Sequence, residues 1–400
     1  MGLRFLGAIG LAAVLLAAPV PAQRFVAQDS PAARDVEAAF TSANNLEFAE
    51  GLAHARHAVG SDPASSRAHR SLATVIWMQH SFERGAITVD HALGGIHVPP
   101  ARLIGSDEAD EFRGALADAI RLAERSVKQN GADVSARFDA GSAYGLQALY
   151  MASLEDGYTG TFRYARRAFE TQRDVLERDP GFAAAGLIAG TYRYMIASQT
   201  PVVRFFAFFA GFEGGKEKAI ALLEDASHDP LTRAEAKTAL IQIYSRESRF
   251  NEALRLTREL GIELPRNRLV QYEEGSAAIR AGRSDEAELA LSRGIAAFDS
   301  DARPKIPGER ALWFYKRGLA RTNLGRIAEA AADLRSALDS HPLGWTEGRI
   351  HVVMGRLADL AGNRTEALAE YARAKALCKA SPDARCRDDA GLGLRQPFAR

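Results

Sequence analysis

Six of the nine histidines in this 400-residue chain fall between 54 and 97: His54, His57, His69, His80, His91 and His97. On a helix, His54 and His57 share a face at i, i+3, a spacing compatible with two neutral imidazoles on one metal ion. A metal site needs a third ligand at fixed spacing, and no His-Glu-x-x-His or paired-cysteine pattern supplies one. The segment therefore reads first as surface and core histidines, with no cofactor expected. The competing reading is a metal-dependent hydrolase built on residues 54–97.

Other candidate chemistry is thinner. The run Gly211-Phe212-Glu213-Gly214-Gly215-Lys216 suggests a phosphate loop. Its Lys comes one residue early, Glu217 stands where Ser or Thr is required, and no strand precedes it. Gly141-Ser142-Ala143-Tyr144-Gly145 puts its serine at the wrong place for a nucleophile elbow, inside a helical stretch. The acidic pairs Glu273-Glu274 and Asp388-Asp389 adjoin in sequence, so on a helix their side chains diverge by about 100° and read as solvated faces. None of this proposes an enzyme or a small-molecule substrate. Cys378 and Cys386, the only two cysteines, are eight apart near the C-terminal end. Pro382 between them breaks a helix, so a turn can bring the sulfurs together. A disulfide is expected in an oxidising compartment, with two free thiols as the alternative.

The compartment is read from the first residues. Arg4 precedes Phe5 to Ala18, a run without a charged side chain, and Pro19 and Pro21 follow. Val20-Pro21-Ala22 suits signal peptidase, which predicts cleavage after Ala22 and a mature chain starting at Gln23, periplasmic or secreted. The alternative is a retained anchor, but the run is shorter than the ~20 residues that span a bilayer. Fifty-one Lys and Arg against 50 Asp and Glu leave no basic footprint for general nucleic-acid binding. Abundant Ala, Arg and Glu with little Val or Ile favour helix throughout. Residues 23–34 read as a flexible lead-in. Ser106 is placed to cap a helix running to about Lys128, and further helices are expected at 133–153, 161–178, 182–198 and 216–228. The stretch 85–105, with Pro99-Pro100, reads as a long inserted loop. Phe205, Phe206, Phe208, Phe209 and Phe212 form the densest aromatic cluster, helix-packing core or else a sticky patch for a partner or for peripheral membrane contact.

The elements that would position any site repeat. Gly275, Gly282, Ala287 and Gly294 recur in spacing as Gly318, Gly325, Ala330 and Ala337, and again as Gly355, Gly362, Ala367 and Ala374. Ile241, Ala253 and Leu260 keep the same phase, with Tyr244 three residues on and Pro265 closing the unit. The first small residue allows two antiparallel helices to approach closely. The glycine seven later ends the first helix in the left-handed conformation. The following pair packs the second helix back, and Pro342 stops it.

This spacing resembles the tetratricopeptide repeat, on Phe314, Gly318, Ala330, Ala337 and Pro342. Arg317 and Arg321 stand where that pattern carries Leu and Tyr, which predicts looser packing of that unit. Phe48, Gly51, Ala55, Ala58 and Pro63 fit the second helix of an earlier unit. The resemblance implies an all-α helix-turn-helix solenoid, a right-handed superhelix with a concave groove lined by the first helix of each unit. Carried over, it places Gln242, Arg246, Tyr272, Arg280, Tyr315, Asn323 and Arg356 on that groove as a partner-binding surface, exposed until a protein or peptide arrives. The expected layout is signal peptide 1–22, lead-in 23–34, divergent repeats 35–230 with the 85–105 loop inserted, a repeat array at 231–380 and a tail at 381–400. The implied function is an exported scaffold for protein–protein interaction.

Overall fold

A computed structural model describes residues 30–85, 88–94, 106–152, 158–199, 215–381 and 383–399. The expected leader, the Gln23 terminus, His97, the cluster Phe205–Phe212 and Pro382 lie outside these residues. Within them the chain is all helix, eighteen α-helices and one short 3-10 turn, Ala183–Ala185. No strand is found among the described residues. They gather into two compact units, residues 13–80 with 99–240 and residues 81–98 with 241–400, as far as each is described.

The first of these units opens with α1 (Pro31–Asn44) and α2 (Phe48–Ser61). Helix α1 starts inside the expected lead-in because Ser30 caps it: its hydroxyl accepts from the Ala33 amide, and Pro31 costs nothing at the first turn. Gly51 of α2 lies so close to α1 that a Cβ there would stand 3.0 Å from the Ala39 carbonyl. Helix α3 (Ser66–Glu83) follows and runs past the end of this unit's first segment. After the short α4 (Val89–Gly94) come α5 (Ser106–Gln129), α6 (Val134–Ala152), α7 (Tyr158–Arg178), α8 (Gly186–Ala197) and α9 (Lys216–Ala226). The expected 133–153, 161–178 and 216–228 match α6, α7 and α9 within three residues, and 182–198 divides into the 3-10 turn and α8. Glycines let these pairs close: Gly141 of α6 sits beneath the buried Gln172 amide, which donates to the Phe138 carbonyl at 3.0 Å. Tyr192 of α8 stacks on Phe169 of α7 with centroids 4.9 Å apart.

The second unit holds the repeated spacing. Helix α10 (Arg233–Arg246) begins in the first unit and ends in the second, and α11 (Phe250–Glu263) follows it; the pairs are α12 (Arg268–Arg280) with α13 (Ser284–Ser300), α14 (Glu309–Leu324) with α15 (Ile327–Asp339), and α16 (Gly344–Leu360) with α17 (Arg364–Ala380). Gly282, Gly325 and Gly362 all end their helices at a φ near the left-handed region, at 74°, 76° and 76°. The amide that follows each one reaches back to the same place: Arg283 to Ala278, Arg326 to Arg321 and Asn363 to Ala358, each at 2.9 Å. This bond satisfies a carbonyl that the helix end leaves orphaned.

The same bond occurs twice where no glycine announces it. The Arg249 amide donates to Tyr244 at 2.7 Å past Ser248, and the Glu47 amide donates to Ser42 at 2.9 Å past Leu46. Ser248 and Leu46 take φ 61° and 64°. Ala39, Leu46, Gly51 and Ala58 thereby keep the phase of the C-terminal units, so α1 supplies the first helix that the sequence left unassigned. A left-handed Leu costs about 1 kcal/mol or more locally, which the surrounding helix pair must offset.

Arg317 and Arg321 do not loosen their unit. Both carry bonds to the buried carboxylate of Asp333 on α15, at 2.7 Å and 3.0 Å, and Arg321 also reaches Glu288 on α13 at 3.0 Å. A paired charge network replaces the apolar contact that the repeat pattern ordinarily makes there. The segment expected as a tail contains a further helix, α18 (Ala384–Arg395), packed on α17. Asp383 starts it, accepting the Cys386 amide at 3.1 Å.

Candidate binding face of the C-terminal repeats

Helices α10, α12, α14 and α16, the first of each helix pair in the repeated spacing, carry the seven residues that the sequence assigns to a partner-binding groove. The structure buries much of that set. Tyr272 and Tyr315 are 1% and 5% exposed, and Gln242 is buried as well. Tyr272 meets Trp313 edge-on at 5.4 Å, and Tyr315 packs with Leu334, Ala337 and Ile350. Asn323 donates to the Ser284 hydroxyl at 3.2 Å, and Arg356 pairs with Asp389 of α18 at 3.1 Å. The expectation of exposed groove side chains is therefore corrected for the two tyrosines and for Gln242. The two tyrosines are taken up by packing between the repeat helices, and a segment of the chain itself meets charged side chains of the same helices.

That segment is α4, in the stretch 85–105 expected to be a loop inserted across one face. Thr88, Val89, Asp90, His91 and Ala92 are all buried. Asp90 is the centre: Arg280 of α12 reaches its carboxylate at 3.2 Å, the Lys316 ammonium of α14 is in direct contact, and Arg349 of α16 stands at 3.8 Å. Three consecutive first helices thus place one cation each on a single carboxylate. Arg280 also pairs with Glu273, and Arg349 pairs with Asp383 at 2.6 Å. Three cations and three carboxylates close the cluster, and none of the six side chains is more than 10% exposed.

Two arginines read the segment's backbone as well. Arg246 of α10 donates to the Ala92 carbonyl at 3.2 Å, and Arg349 approaches the Asp90 carbonyl at 3.5 Å. The His91 ring meets Trp345 of α16 edge-on at 6.3 Å.

Burial alone would raise the Asp90 carboxyl, but the charges of Lys316, Arg349 and Arg280 outweigh it and hold the group well below the usual carboxylate range. Burial lowers Lys316 and raises Glu273, each countered by its partners. His91 is pushed down to about 4 by burial, helped by Arg349 and Arg84, and Tyr315 is pushed up to about 12 by burial.

Arg246 and Arg280 were assigned from the repeat phase and do engage this segment. Asp90, Lys316 and Arg349 were not. Lys316 and Arg349 sit on first helices, so the phase could have proposed them. Asp90 carried no signal, because an isolated Asp in a non-repeated stretch has no spacing to recommend it.

The histidines divide among unrelated roles. Asp35 of α1 receives both His54 and His57 of α2, at 3.3 Å and 2.6 Å. His69 bonds the Pro63 carbonyl at 3.1 Å, and His80 is buried near Trp77, with ring centroids 6.1 Å apart. Among the described residues, no three His, Cys, Asp or Glu side chains converge as metal ligands. Cys378 and Cys386 are joined as a disulfide with Cα atoms 5.8 Å apart, tying the end of α17 to the start of α18. No described helix is long and apolar enough to cross a membrane.

No protein-family profile and no curated protein matches the chain. Similar solved structures include yeast Tom70, at 11% identity and TM-score 0.38, over 92% of this chain and 90% of that one. The human IFIT1 dimer with m7Gppp-AAAA has 14% identity and TM-score 0.43, over 94% and 82%. A tetratricopeptide repeat protein from Parabacteroides merdae has 11% identity and TM-score 0.32, over 81% and 99%. Likeness at this level carries no argument about function. The recurrent helix pairs, in one phase with one cap, make the described chain an all-α helical-repeat fold.

Proposed function

We propose that the chain is an exported scaffold that recognises a protein segment on the first-helix face of its C-terminal repeats. One observation carries this reading: Arg280, Lys316 and Arg349, from three successive units, meet at a single carboxylate, while Arg246 and Arg349 address backbone carbonyls of the same segment. Backbone carbonyls are common to every peptide, and a buried carboxylate adds selectivity because the wrong side chain leaves cations unpaired. Export is supported by Arg4, the uncharged run from Phe5 to Ala18 and the Val20-Pro21-Ala22 sequence. Nothing at His54 and His57 favours hydrolysis over this reading, since both are taken up by Asp35. The test is affinity capture from a native envelope fraction with the full mature chain and with Arg280→Ala. A partner retained by the first and lost by the second, with helicity unchanged, supports the scaffold. Equal retention by both would move recognition to another surface.

A further inference from the structure

The segment held on the first-helix face is part of the same chain, and its contacts are those of a bound peptide. Three kinds of feature are addressed: the Asp90 carboxylate, two carbonyl oxygens, and the buried side chains of Thr88, Val89, His91 and Ala92. The segment is short, Thr88 to Gly94. Most of its fixation therefore comes from what the repeats offer it rather than from its own helix, since one to two turns are not stable alone.

We infer that the stretch Thr88–Gly94 is an intramolecular ligand of this face, and that an outside partner competes by placing a side-chain carboxylate where Asp90 lies. The inference rests on the scaffold reading above and names the chemistry of its partner: a short acidic segment, one Asp or Glu flanked by small apolar residues. Charge balance gives the reason. Without Asp90, Arg280, Lys316 and Arg349 face only Glu273 and Asp383 in a site closed to water. That leaves one positive charge unmatched, and a buried unmatched charge is costly. The face therefore calls for one carboxylate and accepts it from either source. A neutral or cationic segment would leave that charge uncompensated. Such a segment could still receive the Arg246 bond, so selectivity falls on the carboxylate alone.

The test uses the full chain. A fluorescent peptide of sequence 85–97, and a second in which Asn replaces the Asp of position 90, are titrated against the wild-type protein and against Asp90→Ala by fluorescence anisotropy. The Asp peptide is expected to bind Asp90→Ala at least about tenfold more tightly than it binds wild type. On the same variant, the Asn peptide should be weaker by at least about tenfold, because removing one partner of a buried charge pair costs that much or more. A helical Asp90→Ala protein that binds neither peptide, or both alike, overturns the inference. Should Asp90→Ala fail to fold, hydrogen exchange on the wild-type protein decides. Amides of Val89–Gly94 exchanging well before those of α12 and α14 support a displaceable ligand, whereas equal protection overturns it. The scaffold reading fails separately: intact peptide binding by Asp90→Ala, with no partner captured from the envelope, supports the internal ligand and removes the external one.

Discussion

Adding a single methyl at Gly355 should destabilise the C-terminal unit, although the same change usually strengthens a helix. Gly355 lies within α16 opposite Tyr371 of α17, a side chain only 1% exposed. A Cβ on Gly355 would stand 2.6 Å from Cε1, 2.7 Å from Cδ1 and 2.9 Å from Cζ of that ring. Ordinary carbon–carbon contact is about 3.5–4.0 Å, so the ring or the helix must yield by roughly 1 Å. The ring has little room to retreat, because Gly393 of α18 closes on the same three atoms and the phenol donates to Asp359 at 2.9 Å. Overpacking of this kind costs about 1–3 kcal/mol, against a helix-propensity gain of about 1 kcal/mol for Gly→Ala. A net loss of up to about 2 kcal/mol follows, or a fall in Tm of up to about 8 °C for a unit of this size. Gly114, within α5, is the control: nothing lies within 4 Å of its Cβ position, so Gly114→Ala should raise stability by up to about 1 kcal/mol. Urea and thermal unfolding by circular dichroism measure both. If the two variants shift stability in the same direction, the close approach of α16 and α17 is wrong. Tyr371→Leu should also relieve much of the penalty of Gly355→Ala, a non-additivity that independent sites would not show.

Tyr315→Ala, which an exposed groove residue would tolerate, should instead cost about 3–5 kcal/mol, because the ring belongs to the cluster with Leu334, Ala337 and Ile350; urea unfolding reads it. Loss of His91 should flatten the acid side of the stability curve. Its folded pKa of about 4 lies below the ordinary 6.5, so the unfolded chain binds the extra proton between those values and stability is lost as pH falls through that window. Compared with His91→Phe, the wild type should lose about 3 kcal/mol more between pH 7 and pH 4; parallel curves would show that His91 does not titrate from a buried state. Mass measurement of protein from its native compartment should rise by about two daltons on reduction, and reduction should cost about 2–3 kcal/mol at most, felt mainly in α17 and α18. N-terminal sequencing of the same material should begin at Gln23; an intact Met1 would refute cleavage after Ala22.

The repeated helix pairs were legible because close packing demands small residues at fixed intervals. Gly275, Gly318 and Gly355 each lie directly against a side chain of the following helix, and Gly282, Gly325 and Gly362 each turn the chain left-handed. Those demands are local, set by a few neighbouring residues, and so leave a periodic trace in the sequence. Where tertiary contacts pay for a strained turn, the trace disappears. Leu46 and Ser248 hold the same cap as the glycines, and only the packed pair reveals it. Arg317 and Arg321 were visible departures from the repeat, but their meaning depended on Asp333 and Glu288, one helix onward and one helix back. The first-helix face of these repeats shows the limit most clearly. Repeat phase placed Arg246 and Arg280 on it, yet nothing in the order of residues set Asp90 beside Arg280, 190 positions later. A charge at that distance is matched only when the folded chain brings both groups out of water. There, the cost of burying each one alone selects the pairing.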